Sequence, residues 1–186
     1  MQLYGSFTSP YVRQCRIAMV QCEIDHTFIE TDLIKSAEIS PTKKVPFLKD
    51  GELSLSDSSS ILRHLRHTAN QAFLATIEDL ELFCLISTLM DSAINLFYLE
   101  KEGIAITSAN YLQRQQLRLE EGLDYLNKLL DKPVTLDLQN DAQLRLGIFL
   151  SWGLFRQRFN LDDRENLQRF VSTCESHVLF QTTQPQ

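Results

Sequence analysis

A small α/β domain at residues 1–68, followed by an all-α helical bundle at residues 78–186, is the architecture this sequence predicts. Two observations carry it. Short strand and helix signals alternate over the first 66 residues, and from Glu78 onward apolar residues recur at helical spacings of three and four. Residues 69–77 between them read as a linker.

In chain order, Gln2–Gly5 predicts a short strand and Ser6–Pro10 a turn. A helix opens at Tyr11, just after a proline whose fixed φ suits a first turn, and carries Val12, Cys15, Ile17, Ala18 and Met19. Thr27–Thr31 is β-rich. A Ser/Pro-containing connection without an element of its own leads to two short strands, Val45–Leu48 and Glu52–Leu55. Asp50-Gly51 between them is a strong hairpin signal. Ser58–His67 closes the unit with a helix that places Ile61, Leu62 and Leu65 on one face. Strand, helix, strand, connection, hairpin, helix is a thioredoxin-like order.

The second part reads as four helices. Phe83, Ile86, Met90, Ala93 and Phe97 mark a long one ending near Gly103. Leu82, Leu89 and Leu96 add a second apolar stripe to it, which suggests a partner surface and a homodimer. Leu112, Leu119, Leu123, Leu126 and Leu130 make the next helix, with Pro133 as its stop. Leu144–Phe159 is apolar over much of its surface, which places it at the centre of the bundle. Asp162 or Asp163 is the expected cap of the last helix, with Leu167, Phe170 and Val171 on its buried side.

Composition bounds the function. Hydrophobic residues make up 44% and charged residues 23%, a globular balance. The net charge of −6 falls entirely in residues 67–186, which hold ten basic and sixteen acidic side chains. No basic footprint for nucleic acid results. The strongest apolar stretch, Gly147 to Phe155, is too short to span a bilayer. Met1–Ser6 has none of the pattern of a secretory signal, and Cys15, Cys22, Cys84 and Cys174 form no C-x-x-C pair. A cytoplasmic protein with reduced thiols, and no membrane or nucleic-acid partner, is the expectation.

Three patterns in the first domain carry chemistry. Thr8-Ser9-Pro10-Tyr11-Val12-Arg13 puts a hydroxyl at a helix N-terminus, where unpaired N–H groups and the helix dipole favour an anion such as a thiolate. Lys43-Lys44-Val45-Pro46-Phe47-Leu48 opens a strand with a proline. A cis bond there would turn the Val45 backbone outward, to pair with a peptide as an added strand would. Leu55-Ser56-Asp57-Ser58-Ser59-Ser60-Ile61-Leu62 again gathers N–H groups and a hydroxyl, suited to a carboxylate, with Asp57 suited to an ammonium group. Taken singly, each also has a plain structural reading: an N-cap serine, a trans proline starting an edge strand, a serine-rich helix cap.

In this order and spacing the patterns resemble the glutathione S-transferase family over essentially the full chain. "SPYVR" is similar to its S-P-[FY]-x-x-[RK] turn, "KKVPFL" to its K-[VI]-P-x-L element with a cis proline, and "LSDSSSIL" to its [ED]-S-x-[AS]-I helix start. "FQTTQP" resembles the tail after the last helix in many bacterial members. The resemblance implies glutathione as co-substrate and no metal. Ser9 would stabilise the glutathione thiolate, and Val45 would pair with the cysteinyl backbone. Asp57 and Ser58 would hold the γ-glutamyl amino and carboxylate groups, and Lys44 and Lys35 would meet the glycyl carboxylate. The thiolate would attack a small hydrophobic electrophile held near Tyr11 and near Phe97 or Tyr98. A homodimer is implied too.

The sequence also departs from the family. The S/T-x-x-D capping box expected near residue 140 is missing, and Asn140-Asp141-Ala142-Gln143 stands in its place. The connection before Pro41 is short. A glutaredoxin or omega-like thiol oxidoreductase would need a cysteine near position 9, and Cys15 lies well into the helix. Tyr4, the other hydroxyl nearby, falls within the first strand. His64 and His67 have helical spacing but no adjacent acidic or cysteine partner for a metal. The rival from another class is a non-catalytic interaction protein similar to the stringent starvation protein A group.

Overall fold

Four short strands and three helices build the first unit: β1 (Gln2–Gly5), α1 (Pro10–Gln21), β2 (Thr27–Glu30), α2 (Leu33–Ile39), β3 (Phe47–Asp50), β4 (Leu53–Leu55) and α3 (Ser58–Thr68). The computed structural model describes residues 1–131 and 135–185. The sheet order is β2-β1-β3-β4. β1 runs parallel to β2 and antiparallel to β3, and β4 returns antiparallel along β3. Gly51 takes the positive φ of 57° that this tight hairpin needs. Leu3 and Leu48 of the sheet pack with Cys15, Ala18 and Met19 of α1 and Ile61, Leu62 and Leu65 of α3.

Helix α2 occupies part of the segment expected to be a bare connection. The Asp32 carboxylate caps it, accepting from the Lys35 backbone N–H at 2.8 Å. Its burial is inverted: Ile34 is exposed while Ser36 is buried. An apolar repeat therefore gives no sign of it.

The bundle follows as α4 (Ile77–Lys101), a 3₁₀ turn at Ile106–Ser108, α5 (Asn110–Leu129), α6 (Asp141–Phe155), α7 (Glu165–Ser176) and α8 (Val178–Gln181). Pro133, the expected stop of α5, lies outside the described residues. Helix α6 is central, as its composition predicts; Leu144, Leu146, Ile148, Phe149, Leu150 and Trp152 are all buried. Its limits differ from the expected 144–159. The Asn140 side-chain oxygen accepts from the N–H groups of Ala142 and Gln143 at 2.9 and 3.2 Å, starting the helix earlier. Gln143 does not reach back to Asn140; it accepts from the Asp137 N–H at 3.0 Å. The chain leaves the helix through Gln157, whose φ is 54°.

Neither Asp162 nor Asp163 caps α7. The donors there are met from α5 instead: the Asn127 side-chain oxygen accepts from the N–H groups of Asn166 and Leu167 at 3.1 and 3.2 Å. A cap supplied from another helix leaves no local sequence signature.

Helix α4 bears on two expectations. With a mean hydropathy of 1.6 in its most apolar stretch, its 25 residues are long and apolar enough to cross a bilayer by length and composition, a length that Gly147–Phe155 does not reach. Here α4 packs against α5 and α6. Its second stripe does not stand free, because Leu89 and Leu96 are buried within the chain. The surface beside it is a cavity of about 480 Å³ between α4 and α5, lined by Leu85, Leu89, Leu117 and Gly122 among others.

The two parts are joined by buried polar contacts. Arg66 of α3 grips both carboxylate oxygens of Asp141 at the start of α6, at 3.0 Å each. Arg13 of α1, equally buried, donates to Thr183 Oγ1, Ser151 Oγ and the Phe180 carbonyl at 3.3, 2.7 and 2.8 Å. The arginine of the S-P-Y-V-R segment thus ties α1 to the bundle and to the C-terminal tail.

Candidate functional site

The strand registers bring the three sequence patterns to one end of the sheet. β1 leaves the sheet at Gly5 and leads to Ser9. Phe47 of antiparallel β3 pairs with Tyr4, so Val45 and Pro46 lie beside the exit of β1. Leu55 of β4 pairs with Leu48, so Ser56–Ser58 emerges at that end as well. β2 pairs Glu30 with Gly5, and the chain runs on from there to Asp32, the cap of α2, which holds Lys35.

Each residue has a defined local setting. Ser9 is the N-cap of α1, with Pro10 in the first turn; its Oγ accepts from the Val12 N–H at 3.4 Å. The Val45–Pro46 bond is cis, and Val45 is half-buried. Asp57 is the exposed N-cap of α3, accepting from the Ser59 N–H at 2.8 Å. Ser58 follows it as a buried residue. Lys35 and Lys44 are exposed.

Tyr11 sits at the joint between the two parts, with its ring half-buried against the bundle core. Its hydroxyl donates to Asp91 Oδ1 at 2.6 Å. Burial first, then the hydrogen bond to Asp91, push the phenol well above its ordinary range, so its proton stays on the ring oxygen. Phe97 is packed edge-on to Trp152 at 6.1 Å, while Tyr98 is exposed. Cys15 is completely buried, and desolvation pushes its thiol up to about 12. This thiol is inert at neutral pH. His64, which has no acidic neighbour in its own helix, has its Nε2 2.8 Å from Asp50 Oδ2 at the end of β3. Among the described residues no cluster of His, Cys, Asp and Glu assembles for a metal ion.

Sequence reasoning missed the residue behind Ser58. Arg145 of α6 is 1% exposed and donates to Gln14 Oε1 at 2.8 Å, Ser87 Oγ at 2.6 Å and Ser58 Oγ at 2.9 Å. Its guanidinium lies 3.6 Å from the Phe83 ring centroid. The one available signal was an arginine interrupting the apolar run Leu144–Leu146 of a central helix. A second cavity, about 700 Å³, opens between the end of α6 and α7 along Leu154, Phe159, Leu161 and Val171. It includes none of the expected site residues.

Against this geometry, the likenesses to known proteins fall in one family. Residues 3–73 match the model of the glutathione S-transferase N-terminal domain. A glutathione S-transferase from Methylobacillus flagellatus KT, solved with GSH bound, superposes with a TM-score of 0.83 at 24% identity, covering 100% of this chain and 99% of its own. One from Methylobacterium radiotolerans JCM 2831, in complex with glutathione sulfonate, gives 0.83 at 21% identity over 99% and 94% of the two chains. A bacterial maleyl pyruvate isomerase of the zeta class gives 0.76 at 19% identity over 100% and 97%. No curated protein sequence matches the chain. Residues 3–73 are thus similar to the glutathione S-transferase N-terminal domain, and the whole chain has the glutathione S-transferase fold.

Proposed function

We propose that the chain is a serine-type glutathione transferase that binds glutathione through residues 1–68 and activates its thiol. One observation carries the reading: Ser9 follows β1, Val45 leads into β3 and Ser58 follows β4, all at the same end of one sheet. The solved relatives that hold GSH or glutathione sulfonate support it. Val45 pairs its backbone with the cysteinyl unit. Asp57 and Ser58 hold the γ-glutamyl amine and carboxylate, and Lys44 and Lys35 meet the glycyl carboxylate. The peptide has two carboxylates and one ammonium group, so the charges are complementary.

Ser9 supplies the chemistry. Its oxygen already accepts from Val12, which leaves the hydroxyl proton for the thiolate. A free thiol with a pKa of about 8.5 is only a few per cent ionised at neutral pH. Lowering that value by about two units requires about 2.7 kcal/mol of preference for the thiolate. A hydrogen bond to a charged acceptor contributes about 1.5–3 kcal/mol, and the N-terminus of α1 adds to it. The proton leaves to solvent; the sulfur then forms a bond to an electrophilic carbon held near Tyr11 and Phe97 or Tyr98, and with an aromatic chloride the carbon–chlorine bond breaks and chloride leaves to solvent.

A cytoplasmic homodimer completes the proposal, with the first domain of one chain facing the bundle of the other. Light scattering tests the dimer, and a mass of about 21.5 kDa at micromolar concentration contradicts it. Calorimetry with glutathione tests the binding. Turnover is then read with aromatic chlorides, isothiocyanates and peroxides. Saturable binding with turnover supports the transferase; binding without turnover on any of them assigns the chain to the non-catalytic interaction proteins of this fold.

A further inference from the structure

We infer that Arg145 is a positioning residue for the γ-glutamyl carboxylate, polarising the Ser58 hydroxyl from behind so that it donates to that anion; the inference rests on the glutathione-binding reading above. Arg145 is a buried cation whose hydrogen-bond acceptors, Gln14, Ser87 and Ser58, are all neutral. Among the described residues no carboxylate forms an ion pair with it, in contrast to Arg66, which is matched by Asp141. Burial pulls its pKa below the ordinary arginine value, yet an arginine stays charged in proteins. A positive charge held in a desolvated place without a direct counter-ion is costly unless an anion completes it.

The hydroxyls around Arg145 show where that anion belongs. Ser87 accepts from Arg145 and passes its own proton to the Phe83 carbonyl at 2.6 Å. Ser58 also accepts from Arg145, but among the described residues its proton has no acceptor. A hydroxyl whose lone pair is taken by a cation is a stronger donor, and its free proton marks the direction of the ligand. Ser58 stands in the first turn of α3, where backbone N–H groups also favour a carboxylate. The arginine arrives from α6, so the bundle takes part in a site otherwise built by the first unit.

The experiment compares glutathione with its analogue lacking only the γ-glutamyl α-carboxylate, in the full-length protein. The quantity read is the ratio of the two dissociation constants. The unaltered chain should prefer glutathione by about tenfold or more. Arg145→Gln should erase most of this preference by weakening glutathione and leaving the analogue nearly unchanged, and Arg145→Lys should restore part of it. Equal weakening of both peptides would make Arg145 a structural strut and overturn the inference while leaving glutathione binding intact. No binding of either peptide by the unaltered chain would overturn the functional reading and this inference together. Should Arg145→Gln fail to fold, the ¹⁵N signal of the Arg145 Nε–H in the unaltered protein decides. A shift with glutathione but not with the analogue supports the role, and identical spectra contradict it.

Discussion

Arg66 and Asp141 meet as a bidentate pair, with Nε and Nη2 each 3.0 Å from a carboxylate oxygen and both side chains almost wholly buried. The pair bolts α3 to the first residue of α6. Removing one partner of a buried pair strands the other charge, which costs about 3–5 kcal/mol. Asp141→Ala is expected to lower stability by that amount in urea unfolding. A loss below about 1 kcal/mol would show that the remaining Arg66 acceptors, Gln21, Gln71 and Gln139, suffice.

Asn127 gives a cleaner test of a single cap. Its side-chain oxygen is shared by two backbone N–H groups of α7. Asn127→Ala should destabilise the protein by about 1–2 kcal/mol. Hydrogen exchange should quicken at Asn166 and Leu167 while α6 stays protected. Unchanged exchange at both amides would contradict the cap.

These two contacts mark the limit of what the sequence revealed. The sheet, its flanking helices and the long bundle helices were legible because each buries one face at a regular period, as with Ile61, Leu62 and Leu65. Ser9, Val45 and Ser58 were legible as motif positions, since caps and prolines act on their immediate neighbours. Asn127, Arg145 and the Arg66–Asp141 pair were not. Each acts on a partner distant in the chain, and no local period records such a contact. Helix α2 was missed for a different reason, because Ser36 is buried on it where an apolar side chain is expected.

Packing at the end of α6 leaves no room at Gly153. A methyl group built there would overlap the ring of Phe159, itself tilted against Phe149 with ring centroids 5.3 Å apart. Gly153→Ala should cost about 1–3 kcal/mol through overpacking, despite alanine's better helix propensity. Thermal unfolding checks it, and a raised melting temperature would contradict the close contact.

The thiols predict a pH dependence. Desolvation pushes both Cys15 and Cys174 up to about 12. In the unfolded chain they ionise near about 8.5, so above that pH the unfolded state binds fewer protons and stability falls. Each thiol contributes a slope of about 1.4 kcal/mol per pH unit until the folded values are reached. Urea midpoints from pH 8 to 11 should therefore drop, and replacing both cysteines with alanine should flatten the curve. At neutral pH a thiol reagent should modify exposed Cys84 quickly and leave Cys15 and Cys174 untouched until unfolding.

The most direct test of the account follows the thiolate itself. Its ultraviolet absorbance is titrated against pH in the complex of glutathione with the unaltered chain and with Ser9→Ala. The bound thiol should ionise about two units below the free one in the unaltered chain. In Ser9→Ala this value should rise, with turnover falling about tenfold to a hundredfold, equivalent to about 1.4–2.7 kcal/mol. Peptide affinity should change less, because the carboxylates and the amine are held at other residues. Identical titrations for the two proteins would contradict the account and leave Ser9 as nothing more than the cap of α1.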